Sequence, residues 1–230
     1  MRATIALWIA LCFTILVGTG PALAGDSAPV DAGLAVSIVG EVTVDGCGGG
    51  AAQSATPFMK IRVGDVLQLA EGATVALVFF ESGIRESWSG PDTLEIGEQG
   101  ATSEAEGAPT TEEVGGMVGR SLESLPGILR RAEIDMAGQR KIRGSAGGQV
   151  GLDEVEQAQL AEARETYARM SAAATGEDIL AEMYFASVLL SFGLDDEARS
   201  VLDQAVTKCG ECETPRSLLG WLDTRRAEGD

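Results

Sequence analysis

Thr74-Val75-Ala76-Leu77-Val78-Phe79-Phe80 carries apolar side chains on both of its faces. At a period of two, Thr74, Ala76, Val78 and Phe80 share one face and Val75, Leu77 and Phe79 share the other. A strand apolar on both faces belongs in the middle of a sheet that is covered on both sides. On either side of it, within residues 34–98, apolar residues alternate or run in short β-branched stretches between Gly, Pro and Asp. This pattern predicts strands over 35–39, 41–44, 58–61, 66–69, 74–80, 84–89 and 93–96. Gly64-Asp65, Glu71-Gly72 and Ser82-Gly83 suit the reversals between them. So many short strands predict a small all-β sandwich or roll.

The chain has 230 residues, with 35 Asp plus Glu against 17 Lys plus Arg, a net charge of -18, and no histidine. An acidic balance of that size excludes a nucleic-acid binder, which needs clustered cations for phosphate. Without histidine there is no Ser-His-Asp triad, no Cys-His dyad and no imidazole metal ligand. Ser87 and Ser89 have no base nearby in sequence, and Asp65, Asp92 and Glu95 fall at turns and a short strand where they suit turn hydrogen bonding. A non-enzymatic protein without cofactor or metal is the expectation. Hydrophobic residues at 45% suffice to build a core.

The amino terminus reads as an address. Arg2 precedes the apolar run Ile5 to Val17, followed by Gly18, Gly20, Pro21 and the small-residue signature Ala22-Leu23-Ala24. This predicts a signal peptide over 1–24 and export to the periplasm. The run is shorter than the roughly 20 residues that span a bilayer, and no later segment is longer, so no stable membrane anchor is expected after cleavage. Cys12 lacks the small residue that precedes a lipidated cysteine.

Val63-Gly64-Asp65-Val66-Leu67, then Gly72-Ala73-Thr74-Val75-Ala76-Leu77-Val78-Phe79, Gly83, and Gly90-Pro91-Asp92-Thr93-Leu94-Glu95-Ile96 resemble the FecR-like domain. The resemblance covers residues 34–98 and rests on Gly64, Asp65, Gly72 and Gly83. Ser82 stands where the family commonly has Asp, and Trp88 where a smaller aliphatic is usual, which marks Trp88 as either a candidate partner-facing residue or a packing variation. The family is associated with periplasmic sensing of an outer-membrane receptor, usually with a cytoplasmic anti-sigma region and a transmembrane helix on the same chain. Neither is read in this sequence, so the resemblance implies a fold and a periplasmic interaction role.

Residues 99–119, rich in Gly, Ala, Thr and Glu, read as an acidic flexible linker. Over 120–150 a short helix through Ile134 is expected, with Ser121 as its cap and Leu125, Ile128 and Leu129 on one face. Arg130, Arg131, Arg140, Lys141 and Arg143 form the basic cluster, flanked by Gly144, Gly147 and Gly148. It suits either a polyanion site or a solvated face paired with the acidic linker.

Residues 153–228 read as helical, with helices over 153–174, 178–192, 195–208 and 216–227. Ala186, Gly193, Ala198, Leu202 and Ala205 have the spacing of the small and apolar core positions of a tetratricopeptide repeat, which residues 179–212 resemble. The flanking helices are expected to act as neighbours and caps. Repeat hairpins of this type hold peptides on the face of the first helix, here Met183, Ser187, Leu190 and Ser191. The alternative is that the helices pack on the β domain or form a homodimer.

Cys47, Cys209 and Cys212 remain after cleavage. A local disulfide between Cys209 and Cys212 is the first expectation, with a metal site including Cys47 or a redox pair as alternatives. The whole chain thus reads as an α+β multidomain protein, a FecR-like β domain followed by a tetratricopeptide-like helical domain. Its expected role is that of a periplasmic adaptor or scaffold for an envelope protein or peptide. An envelope sensor or cell-wall glycan binder is the alternative, and a thiol-disulfide redox protein a more distant one.

Overall fold

The computed structural model describes residues 29–46, 51–105, 107–137, 152–210 and 212–229. The signal-peptide segment 1–24, Cys47, and Arg140, Lys141 and Arg143 of the basic cluster lie outside the described residues. Ten strands come first: β1 (Asp31–Val39), β2 (Val42–Asp45), β3 (Gln53–Ser54), β4 (Met59–Arg62), β5 (Val66–Leu69), β6 (Thr74–Phe79), β7 (Ile84–Ser89), β8 (Asp92–Ile96), β9 (Ala101–Ser103) and β10 (Thr110–Glu113). Six helices follow: α1 (Gly116–Glu123), α2 (Leu125–Met136), α3 (Glu154–Ala173), α4 (Leu180–Ser191), α5 (Asp195–Cys209) and α6 (Glu213–Gly229). The layout is α+β.

The strands form two five-stranded antiparallel sheets, in the orders β10-β7-β6-β1-β4 and β3-β2-β5-β8-β9. As its two apolar faces require, β6 is the central strand of the first sheet. Val75, Leu77 and Phe79 meet Leu67, Leu69, Leu94 and Ile96 of the second sheet, making the interior of a sandwich. Ala76, Val78 and Phe80 turn the other way and join Leu34 and Val36 in a second core, which is completed by residues of α1 to α6. The molecule is therefore layered sheet, sheet, helices. Next to β6, strand β1 is buried from Ala32 to Val36 because it too is covered on both faces, Leu34 and Val36 entering the helix-side core and Ala32 and Ala35 the sandwich interior.

Within the helical layer α4 is buried on every side from Leu180 to Leu189. It packs against α1, α3 and α5, while α5 packs on α6 and α6 on α2. A helix apolar all round must be covered all round, and here the first sheet and its neighbouring helices supply the cover. The expected packing of the helices on the β region is present. Asp153 caps α3 through a reciprocal pair, accepting from the Glu156 N–H at 2.8 Å while Glu156 accepts from the Asp153 N–H at 2.9 Å.

Two expectations are corrected. The stretch 99–119 is not a linker: it holds β9, β10 and the start of α1. Its strands are largely exposed and lie at sheet edges, so they lack the apolar alternation by which strands are read. Ser121 is not a helix cap, because it lies inside α1; the break falls at Ser124, whose hydroxyl donates to the Ser121 carbonyl at 2.8 Å.

Candidate functional site

At the rim where the first sheet meets the helices, β10 forms the sheet's outer edge. Thr110 and Thr111 favour extended backbone, and β10 pairs antiparallel with β7, Glu112 opposite Arg85. All four β10 residues are exposed. In an antiparallel edge strand alternate residues point their N–H and C=O groups away from the sheet. Among the described residues no strand pairs with that outer side.

Between β10 and α3 runs a cleft. One part, about 380 Å³, is lined by Arg85, Ser87, Thr110, Glu112, Glu113, Arg169, Met170 and Asp178 among others. A second part, about 350 Å³, continues past Val114 and Arg169 along Gly116 to Val118 and the α3 residues Glu162, Glu165 and Thr166. Val114 and Arg169 border both parts, so the two adjoin and are together termed the groove.

Arg85 fixes the groove's geometry. Its guanidinium pairs with Asp178 and reaches Glu112 at 3.9 Å, with 16% of its side chain exposed. Asp178 also accepts from the Leu180 N–H at 3.0 Å, so one carboxylate both opens α4 and ties it to β7. The Arg85 Nε is buried without a hydrogen-bond partner. Deeper in the helical layer, the Tyr184 hydroxyl is likewise buried without a partner. Burial is the main cause that raises its pKa above 10.0, with the Thr166 side chain acting in the opposite direction.

The expected partner face on α4 is corrected. Met183 and Ser187 are buried at 0% and 1% exposure, and the Ser187 hydroxyl is spent on the Tyr184 carbonyl at 2.7 Å. Leu190 is half-buried; Ser191 is exposed and donates to the Val188 carbonyl at 2.7 Å. No partner can reach the first two while the helices stay on the sheet.

Of the two readings of Trp88, the partner-facing one is corrected for the same reason. It is buried between the sheets, and its Nε1 donates to Glu86 Oε2 at 3.0 Å. The same oxygen accepts from the Ala101 N–H at 3.0 Å, so Glu86 on β7 clamps β9 of the opposite sheet. Glu86, Arg85, Asp178 and β10 were not singled out by sequence reasoning. The exposed Thr110-Thr111 pair was the only local signal for that strand.

The remaining motif residues are structural. Gly64, Gly72 and Gly83 all have positive φ, and Asp65 accepts from the Arg62 N–H at 2.8 Å. Ala186, Ala198, Leu202 and Ala205 are buried where α4 meets α5, with Gly193 at φ 70 in the turn between them. Cys209 and Cys212 form a disulfide pair at the α5 to α6 turn, with Cα atoms 5.8 Å apart. Among the described residues, no group of three or more His, Cys, Asp or Glu converges as a metal site, and no helix is long and apolar enough to cross a membrane.

No protein-family model matches the chain, and neither the curated proteins nor the solved structures contain a match to it.

Proposed function

We propose that this chain is an exported, non-enzymatic interaction protein of the periplasm, an adaptor that engages an envelope protein through the groove between β10 and α3. On this reading the β-sandwich is FecR-like and the array α3 to α6 is tetratricopeptide-like. The two are fused through one core into a rigid support. The observation that carries the proposal is the wholly exposed edge of β10, unpaired on its outer side among the described residues, beside two adjoining clefts. Unpaired edges are normally covered or blunted, and one that opens on a cleft is placed for a partner. The Ala22-Leu23-Ala24 signature supports export. The burial of Trp88 weighs against a glycan-binding reading, since it leaves no tryptophan platform at the groove.

The test is site-specific photo-crosslinking in the periplasm, with the reactive group at Thr110 or Glu165 in the groove and at Asp203 on the exposed side of α5 as control. The expected result is one envelope protein captured from both groove positions and not from the control. Capture of nothing, or only of a second copy of this chain, overturns the adaptor reading.

A further inference from the structure

The groove's charge and its edge strand together define what it takes. Five carboxylates line it, Glu112, Glu113, Glu162, Glu165 and Asp178, against two cations, Arg85 and Arg169. Arg85 is already neutralised by Asp178 with Glu112 beside it. A segment lying along β10 would therefore meet acids on the strand at one wall and acids on α3 at the other. Arg169 is the one cation of the groove without a carboxylate partner among the ion pairs of the described residues.

We propose that the groove binds an extended, lysine- or arginine-rich peptide segment of the partner protein, which adds to β10 as a sixth strand of the first sheet. Backbone pairing gives such strand addition its affinity, and alternate side chains give it specificity. The four residues of β10 span about 13 Å at roughly 3.3 Å per residue, enough to pair four to five residues of an added strand. Every second side chain of that strand would then face the α3 carboxylates. The chain's net charge of -18 would also steer a basic segment toward it.

The same charges favour a basic segment over the simplest competitor, a second copy joined β10 to β10. Full antiparallel register sets Glu112 and Glu113 of one copy opposite Thr111 and Thr110 of the other, so it brings those carboxylates no cation. Pairing β10 with the opposite edge, β4, fares no better. The β4 cations Lys60 and Arg62 are both held by Asp31, so that edge offers no free positive charge.

The inference rests on the adaptor reading and is tested separately from it. Three fluorescein-labelled peptides are titrated against the purified mature chain by polarisation. One alternates Lys and Val over eight residues, one alternates Glu and Val, and one is the Lys peptide with alternate backbone amides N-methylated, which keeps its charge and blocks strand pairing.

The expected result is saturable binding of the Lys peptide, with the Glu and N-methylated peptides each weaker by tenfold or more, about 1.4 kcal/mol. Bound Lys peptide should also slow amide exchange in β10. The exposed-site variants Glu113→Lys and Glu165→Lys should each lower the affinity about fivefold or more, while Asp203→Lys on α5 should not.

Equal binding of the N-methylated peptide, or equal loss with Asp203→Lys, reduces the effect to nonspecific charge attraction and overturns the proposal. So does absence of binding. If crosslinking from Thr110 still captures an envelope protein in that case, the adaptor reading stands and only the class of occupant has failed. Concentration-dependent self-association abolished by Glu113→Lys would instead assign the edge to a second copy.

Discussion

Gly83 and Gly72 make a matched pair of probes for how the helices sit on the sandwich. Both glycines have positive φ, 62° and 75°. Alanine at either position pays the left-handed backbone cost, about 1–2 kcal/mol. Their surroundings differ. A Cβ on Gly72 meets nothing within 4 Å, whereas one on Gly83 falls 2.4 Å from the Gly116 N and 2.5 Å from the Gly115 C. Those are backbone atoms at the start of α1, held there because the Val114 and Gly115 N–H groups both donate to the Gly83 carbonyl at 2.9 and 3.0 Å. Displacing them adds about 1–3 kcal/mol of overpacking. Gly72→Ala should therefore lose about 1–2 kcal/mol and Gly83→Ala about 2–5. With a urea slope of about 2 kcal/mol per molar, the midpoints drop by roughly 0.5–1 M and 1–2.5 M. Circular dichroism and tryptophan fluorescence followed together would read both. Equal midpoint shifts would refute the close docking of α1 on the β6–β7 turn. A Gly83→Ala protein whose fluorescence and helix signals melt separately would refute the shared core.

Three further outcomes are expected. Glu86→Ala removes the acceptor for both the Trp88 Nε1 and the Ala101 N–H, and should cost about 2–4 kcal/mol with a red shift of tryptophan emission; Glu86→Gln, which keeps an acceptor oxygen, should lose less than half of that. Tyr184→Phe deletes a buried hydroxyl that lacks a partner, so by urea denaturation it should match or exceed the wild type despite 0% exposure, whereas Tyr184→Ala should lose about 3–5 kcal/mol. Burial raises the Asp195 pKa above 3.8, outweighing its ion pair with Arg225, so the folded chain holds that proton to higher pH than the unfolded chain does. The stabilising contribution of this group is full below 3.8 and is lost as pH rises through the raised value, and Asp195→Asn should flatten stability against pH in that window.

The parts of the fold that could be read from the sequence are those with a strong local signal. The two apolar faces of Thr74 to Phe80 gave β6 its central position because a pleated strand has only two sides to cover. The spacing of Ala186, Ala198, Leu202 and Ala205 located the α4–α5 hairpin because small residues let helices approach. What could not be read is what depends on edges. Strands β9 and β10 carry Thr, Ser, Ala and Glu, and an exposed edge strand needs no apolar alternation. Their backbone pairing is decided by their neighbours, β9 by β8 just before it and β10 by β7 farther upstream. The groove was hidden for the same reason, since Glu112, Glu165 and Asp178 come together only when α3 and α4 reach the sheet's rim.

The misplaced partner face on α4 had a physical warning in its own composition. From Leu180 to Leu189 only Glu182, Tyr184 and Ser187 carry polar atoms in their side chains. Glu182 is 3% exposed and paired with Lys208 at 3.2 Å. A repeat helix that presents a groove keeps one polar side for water, and α4 has none. The outer face of the first sheet, with Leu34, Val36, Ala76, Val78 and Phe80, is a second apolar surface of the same chain that its partner sheet leaves uncovered. Two such surfaces gain free energy by covering one another, about 25 cal/mol for each Å² removed from water. Once they meet, the hairpin can no longer open toward a ligand without exposing both. On the proposed adaptor reading, recognition is thereby displaced from the helical face to the rim, where β10 ends the sheet with its outer backbone groups unpaired and α3 stands opposite with Glu162 and Glu165.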